Sequence, residues 1–253
     1  MVDVSPEPDS HGAPLLPGWR AIGTAFRTLT VLGPNRVELG VDASAVYYPV
    51  VGLALGVLWV ATDRAVGALS GRFAASVAVL VVSAAVTRAK GLRALGRVVA
   101  ALPSRRPDRL PRLDVGGAVS GVCTAVLAAA ELGALCALVR YRLVGLAFAP
   151  LLGCCAMVVM AVGSRAARAD GRRLKFAPDV GFTEFGAASA ATFALVSLTS
   201  EFLGLLLVLS TAVFTVAARV FFHRWIDGVN DTAVLATGEA VQLVTLAFLA
   251  ALS

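Results

Sequence analysis

Leu143-Val144-Gly145-Leu146-Ala147-Phe148-Ala149-Pro150-Leu151-Leu152-Gly153-Cys154-Cys155-Ala156-Met157-Val158-Val159-Met160-Ala161-Val162-Gly163 contains no charged side chain. An uninterrupted apolar run needs about 20 residues, at 1.5 Å each, to cross the hydrocarbon layer of a membrane as an α-helix, and this run has that length. Further apolar stretches lie at about 45–62, 73–87, 116–139, 185–200, 202–222 and 233–252. Those at 73–87 and 185–200 are short for a full crossing, and only Ser200 and Glu201 separate 185–200 from 202–222. The expected fold is therefore all-α: a polytopic transmembrane helical bundle of about seven spans, bounded by six and eight.

Composition agrees with a membrane protein. Of the 253 residues, 58% are hydrophobic and only 15% charged, too few polar groups to cover a soluble domain of this size. The mean hydropathy is +0.83. Ala, Val, Leu and Gly dominate, and small residues let helices approach closely inside a bilayer. Cys123, Cys136, Cys154 and Cys155 lie within apolar runs without metal-like spacing. They read as small core residues, not as a disulfide framework.

The net charge of +6 does not point to nucleic acid, because the basic residues sit in short segments between apolar runs. Segment 88–115 carries Arg88, Lys90, Arg93, Arg97, Arg105, Arg106, Arg109 and Arg112 against Asp108 and Asp114. Segment 164–184 carries Arg165, Arg168, Arg172, Arg173 and Lys175, and segment 223–232 carries Arg224. Seven spans with a cytoplasmic N-terminus put all three on the cytoplasmic side of the inner membrane, as the positive-inside rule requires. Arg140 and Arg142 then fall outside and fit this pattern imperfectly. The same arginines suit anionic lipid head groups or phosphorylated ligands.

Residues 1–16 are acidic and Pro-containing and read as a disordered cytoplasmic tail; 17–253 read as one integral-membrane domain. Residues 17–40 interleave Trp19, Ile22, Phe26, Leu29 and Val31 with Arg20, Arg27 and Arg36, the pattern of a helix lying at the membrane surface. Pro103, Pro107 and Pro111 break the long basic segment into non-helical turns.

Four motifs carry a family resemblance over about residues 17–252. Tyr48-Pro49-Val50-Val51-Gly52-Leu53-Ala54-Leu55-Gly56 resembles the first-span motif of cobalamin synthase, the adenosylcobinamide-GDP ribazoletransferase family. Phe26-Arg27-Thr28-Leu29-Thr30-Val31 is similar to that family's Phe-Leu-Thr-Arg segment upstream. Arg168-Ala169-Asp170-Gly171 with Phe176 is similar to its Arg-x-x-Gly loop. Gly228-Val229-Asn230-Asp231-Thr232 is similar to its Gly-Gly-x-Thr-Gly-Asp-Thr segment before the last helix.

The resemblance implies a membrane transferase of cobalamin biosynthesis that joins adenosylcobinamide-GDP to α-ribazole or its 5′-phosphate and releases GMP. It implies a corrinoid and a nucleotide as ligands, the lipid bilayer as surroundings, and Mg²⁺ as cofactor. It leaves oligomerisation open. Attack on phosphorus uses a metal ion to hold pyrophosphate oxygens and stabilise the leaving nucleotide. Mg²⁺ takes oxygen ligands in octahedral geometry.

The chain departs from the family where that ion is held. The family carries His-x-Asp-Gly-x-x-Asp-x-x-x-Asp-Gly after its second span. Here no Asp or Glu occurs between Arg64 and Asp108. Aligned on Thr87 and Leu102, the acidic positions fall on Arg93, Arg97 and Ala100 or its neighbour. Guanidinium has no acceptor for a metal and repels one. Pro111-Arg112-Leu113-Asp114-Val115-Gly116 is the nearest match to the family's Lys-Asp-Ser-Arg-x-Gly, with acid and base exchanged. Gly238 stands where the family has a glutamate, with Glu239 beside it.

The candidate site residues follow from these positions. Arg168, Gly171 and Thr232 are the substrate-binding candidates, carried by the resemblance; an Arg set clamps phosphates in a fork, although a positive-inside loop has the same composition. Asp227 and Asp231 are the metal candidates, four apart and on one face if their segment is helical, with Glu239 two turns on. Their alternative is a solvated helix start with Asp231 as its cap or paired with Arg224. Arg93 and Arg97 either take over the metal's place beside a phosphate or are relics facing lipid head groups. His223 beside Arg224 and Trp225 reads as an interfacial histidine. Glu131, an acid inside a span, is a functional candidate in its own right.

Three functions are compatible with these residues. One is a transferase with a metal site rebuilt on Asp227, Asp231 or Asp114. Another is a non-catalytic paralogue that binds a corrinoid or nucleotide intermediate or partners an active enzyme. The last is an unrelated transporter using Glu131 and the arginines. The missing carboxylates favour impaired transfer chemistry.

Overall fold

The computed structural model of the chain describes residues 18–31, 41–102, 117–164 and 182–253. They form helices α1 (Gly18–Leu29), α2 (Tyr48–Thr87), α3 (Lys90–Ala101), α4 (Ala118–Ala137), α5 (Arg142–Ala161), α6 (Phe182–Ile226) and α7 (Asp231–Ala251), with a 3-10 helix, Val41–Tyr47, leading into α2. No strand occurs among the described residues. The fold is the expected all-α bundle.

Five helical segments among the described residues are long and apolar enough to cross a membrane, and Phe185–Thr199 is a shorter apolar helix. The longest of the five, Ser44–Thr87, crosses twice. Gly71 breaks it with φ 82° and ψ 174°, a conformation that a side chain would strain. The chain reverses there: a Cβ on Gly67 would lie 3.6 Å from the Cβ of Ala75, although eight residues of straight helix span about 12 Å. α6 turns back in the same way, since a Cβ on Gly204 would lie 3.1 Å from Ser197 Cα. Two hairpins and three single helices give seven apolar passes among the described residues.

The first pass runs beyond the sequence-based limit at 62 to residue 70. Asp63, expected in a loop, stays on the helix because Arg142 neutralises it there, with Nε 3.0 Å from Oδ1 and 3.1 Å from Oδ2. The second surprise is α3. Part of the segment expected as a basic loop is a twelve-residue helix, which ends just before Pro103, where proline disfavours helical geometry in the preceding residue. The turns expected around Pro103, Pro107 and Pro111 lie outside the described residues.

α5 is the central helix. From Gly145 to Ala161 only Ala147 and Val159 are partly exposed, as its apolar character all round requires. Its neighbours are α2, α7 and α6. Gly52 and Gly56, one turn apart on α2, admit the backbone of α5: added Cβ atoms would lie 2.7 Å from Leu151 Cα and 2.9 Å from the Ala147 carbonyl carbon. The outer helices turn apolar rows away from the core. Phe202, Leu205, Leu209, Val213, Val216 and Val220 on α6 are all exposed at spacings of three and four residues, a lipid-facing stripe. The chain is an integral membrane protein.

Cys154 and Cys155 are buried, Cys123 and Cys136 half-buried, and all four are free, as their places in the apolar runs suggested.

Candidate functional site

One end of the bundle gathers α1, the 3-10 helix, the start of α2, α3 and the start of α7 into a shared core that includes Ala25, Tyr48, Val98, Val229 and Val234. The chain leaves α2 through Arg88 and Ala89, both left-handed at φ 55° and 47°. This double turn swings α3 against α7 and α4. The Val31 amide donates to the Val86 carbonyl at 2.8 Å, and Lys90 Nζ donates to the Thr28 carbonyl at 2.8 Å. A cation thus closes the last turn of α1, where the helix dipole is negative. Burial lowers the pKa of Lys90, and the nearby Arg88 and Arg93 charges lower it further.

α3 sits close to its neighbours because glycines face them. A Cβ at Gly96 would lie 3.0 Å from the Thr124 amide nitrogen on α4. A Cβ at Gly91 would lie 3.2 Å from the carboxyl carbon of Glu239 on α7. Glu239 therefore presents its carboxylate to the segment where the family resemblance places aspartates. On the other side Glu239 lies within electrostatic reach of Glu131 on α4. Glu131 is buried, and Gln242 Nε2 donates to its Oε1 at 3.2 Å. The sequence singled out Glu131 and Glu239 separately, Glu239 as a companion of Asp227 and Asp231, and did not bring the two together. Glu239 and Gln242 are three residues apart on α7 and share its α4-facing side, a periodicity legible only once that face was known.

The basic side chains of α3 do not enter this interface as a group. Arg93 is exposed and folds back on its own helix start, with Nε 3.4 Å from the Ala89 carbonyl and a further bond to the Arg88 carbonyl. Arg97 is half-buried.

Asp227 and Asp231 do not share a helix face. α6 ends at Ile226 and α7 begins at Asp231. Between them the chain turns, with Asp227 left-handed at φ 53° and Gly228 at φ 148°. The expectation of one face required a continuous helix, and Gly228 ends it. Nor does Asp231 cap α7. Asn230 does, its side chain accepting from the Ala233 amide at 2.8 Å. Asp231 occupies the first turn, where its charge complements the dipole, within electrostatic reach of Tyr48. Thr232 follows in the same turn, half-exposed. Arg168, Gly171 and Asp114 lie outside the described residues.

Helix α3 does not itself fit Mg²⁺. Among the described residues no three His, Cys, Asp or Glu side chains come together to hold a metal. α3 offers Lys90, Arg93 and Arg97 and no oxygen donor from a side chain. Glu131 and Glu239 come together as two carboxylates with the Gln242 amide, and Mg²⁺ takes one or two carboxylates alongside phosphate oxygens and water.

A polytopic helical membrane protein with an amphipathic helix packed across one end is the class that fold and site define. Within that class the chain belongs to the cobalamin-5-phosphate synthase family, whose model matches residues 21–253. No curated protein and no solved structure in the comparisons matches it. Family and membrane bundle together assign the chain to the cobalamin-synthesis proteins of the membrane.

Proposed function

We propose that this chain is a cobalamin-synthase-like membrane protein in which the joining of adenosylcobinamide-GDP to α-ribazole or its 5′-phosphate is impaired. In this reading it retains a corrinoid or nucleotide intermediate as ligand, or partners an active enzyme, with α3 on the cytoplasmic side of the inner membrane. The observation that carries the reading is the chemistry of α3. The helix packs against α7 and α4 at the position of the family's Asp-rich segment, and its ionisable side chains are all basic.

Family chemistry breaks a diphosphate linkage and must stabilise the charge of departing GMP. Fixed guanidinium groups offer positive charge, but they do not bridge two phosphate oxygens as a metal does. Arg93 is moreover bound to backbone carbonyls of its own helix start. Arg168 and Gly171 remain proposed ligand contacts through the family motif, and Thr232 through its place at the start of α7.

Complementation tests the reading. In a host lacking its own active family member and dependent on external cobinamide, expression of this chain is expected to give no growth without added cobalamin. Growth equal to that given by an Asp-rich family member would refute it.

A further inference from the structure

The end of the bundle opposite α1 holds a cleft of about 520 Å³ between the α2 hairpin turn and the link from α4 to α5. Arg64, Arg72, Arg140, Arg142 and Asp63 line it. Arg142 and Asp63 form its fixed base. Besides the ion pair, Arg142 donates to the Leu135 carbonyl at 2.6 Å and to Ser76 Oγ at 3.0 Å. One guanidinium thus ties both limbs of α2 to α4 and α5.

The other three arginines have no such partner. Arg64, Arg72 and Arg140 are exposed, and the ion pair at this cleft is Arg142–Asp63. Arg140 lies over the Tyr141 ring, 5.3 Å from its centroid. Four guanidinium groups less one carboxylate leave three positive charges around one concavity. Orientation in the membrane does not account for them, because the basic helix α3, with Lys90, Arg93 and Arg97, lies at the other end and these charges oppose the one-sided bias that orientation requires. Exposed Leu69 and Phe73 flank Arg72, so the cleft joins basic and apolar surface as a lipid-head-group level does.

We propose that this cleft binds a phosphate group, as the diester of an anionic lipid or as a free phosphate ester. Guanidinium groups stay charged at any physiological pH and meet phosphate oxygens in forked pairs. The anion removes the mutual repulsion of Arg64, Arg72 and Arg140, and the Arg142–Asp63 pair holds the walls in place beforehand. The site lies across the bundle from α3, so it is independent of the transferase reading.

Two measurements on the full-length purified protein test it. Native mass spectrometry reads retention of added phosphatidylglycerol, and thermal unfolding reads stabilisation by glycerol 3-phosphate. Arg72→Gln/Arg140→Gln is compared with the unaltered chain and with Arg93→Gln on α3. Loss of an arginine from a forked phosphate contact weakens binding by about tenfold. The double variant is expected to lose at least that much, and Arg93→Gln nothing. A loss confined to phosphatidylglycerol identifies the lipid, and a loss confined to glycerol 3-phosphate identifies a soluble ester. Equal behaviour of all three proteins toward both probes overturns the proposal. If the double variant does not purify as a folded species, Arg64→Gln, which removes an exposed side chain with no partner, is read in the same two assays under the same criteria.

Discussion

Glu239 on α7 rests on Gly91 of α3: a Cβ at position 91 would lie 3.3 Å from the Glu239 Cβ and closer still to its carboxylate. The pair joins α3, whose charged side chains are all basic, to an acid beside the segment where the family resemblance places aspartates. Gly91→Ala should therefore destabilise the protein by about 1 to 2 kcal/mol through overpacking, net of the gain in helix propensity. In a Glu239→Ala background the cost should fall to near zero or reverse. Thermal unfolding in detergent of the four proteins of this cycle measures the coupling; equal costs in both backgrounds would show that the two residues do not touch.

Gly56→Ala should cost more than Gly91→Ala. Its added Cβ meets the backbone of Ala147, 2.9 Å from the carbonyl carbon, and α5 is held by helices on several sides. Overpacking against backbone reaches about 3 kcal/mol or more. The same unfolding assay ranks the two variants, and an inverted order would contradict the packing of α2 on α5.

Asp63→Asn should lower stability by about 3 kcal/mol. Both side chains of the Arg142–Asp63 pair are largely buried, at 13% and 14% exposure, and an orphaned buried charge is costly. Replacing both residues, as Asp63→Leu with Arg142→Met, should recover much of the loss. Failure of the single variant to shift the unfolding temperature would mean that water replaces the missing carboxylate.

The Lys90 amine titrates below the ordinary lysine value because burial and then the Arg88 and Arg93 charges disfavour its cation. The folded pKa lies below the unfolded one, so the unfolded chain binds more protons between them and stability rises with pH across that window. Below the folded pKa the full penalty persists. Only Lys90 and Lys175 are lysines, so reductive methylation with ¹³C and NMR titration, with Lys90→Arg for assignment, resolves the shift. A Lys90 signal titrating at or above 10.5 would contradict the burial of its amine beside the Thr28 carbonyl.

Asn230→Ala should cost about 1 kcal/mol by leaving the Ala233 amide without its acceptor, whereas Asn230→Asp should be close to neutral. Thermal unfolding compares them. Equal losses would remove Asn230 as the cap of α7.

The spans were legible because a lipid-crossing helix declares itself through length and lack of charge. The break at Ser200–Glu201 and the seven passes were read from that signal alone. Three features were not. Asp63 looked like a loop residue because its neutralising partner, Arg142, lies 79 positions away. α3 looked like a basic loop because its apolar positions are mostly Ala and Gly, whose burial depends on glycine contacts with α4 and α7 that no local pattern announces. Asp227 and Asp231 looked paired because a spacing of four suggests a helix, and the left-handed turn at Asp227–Gly228 shows only in the backbone. Glu131 was visible as an isolated acid in a span, yet its meeting with Glu239 required the register of two helices.

A transfer assay tests the central claim most directly. Purified full-length protein in detergent receives adenosylcobinamide-GDP and α-ribazole 5′-phosphate, with Mg²⁺ or with chelator, beside an Asp-rich family member treated identically, and GMP release is followed. The expected result is release by the Asp-rich protein only, with none above background from this chain under either condition. Chelator-sensitive GMP release from this chain, at a rate comparable to the Asp-rich protein, would contradict the reading of α3 and direct the search for metal ligands to Asp227, Asp231, Glu131 and Glu239.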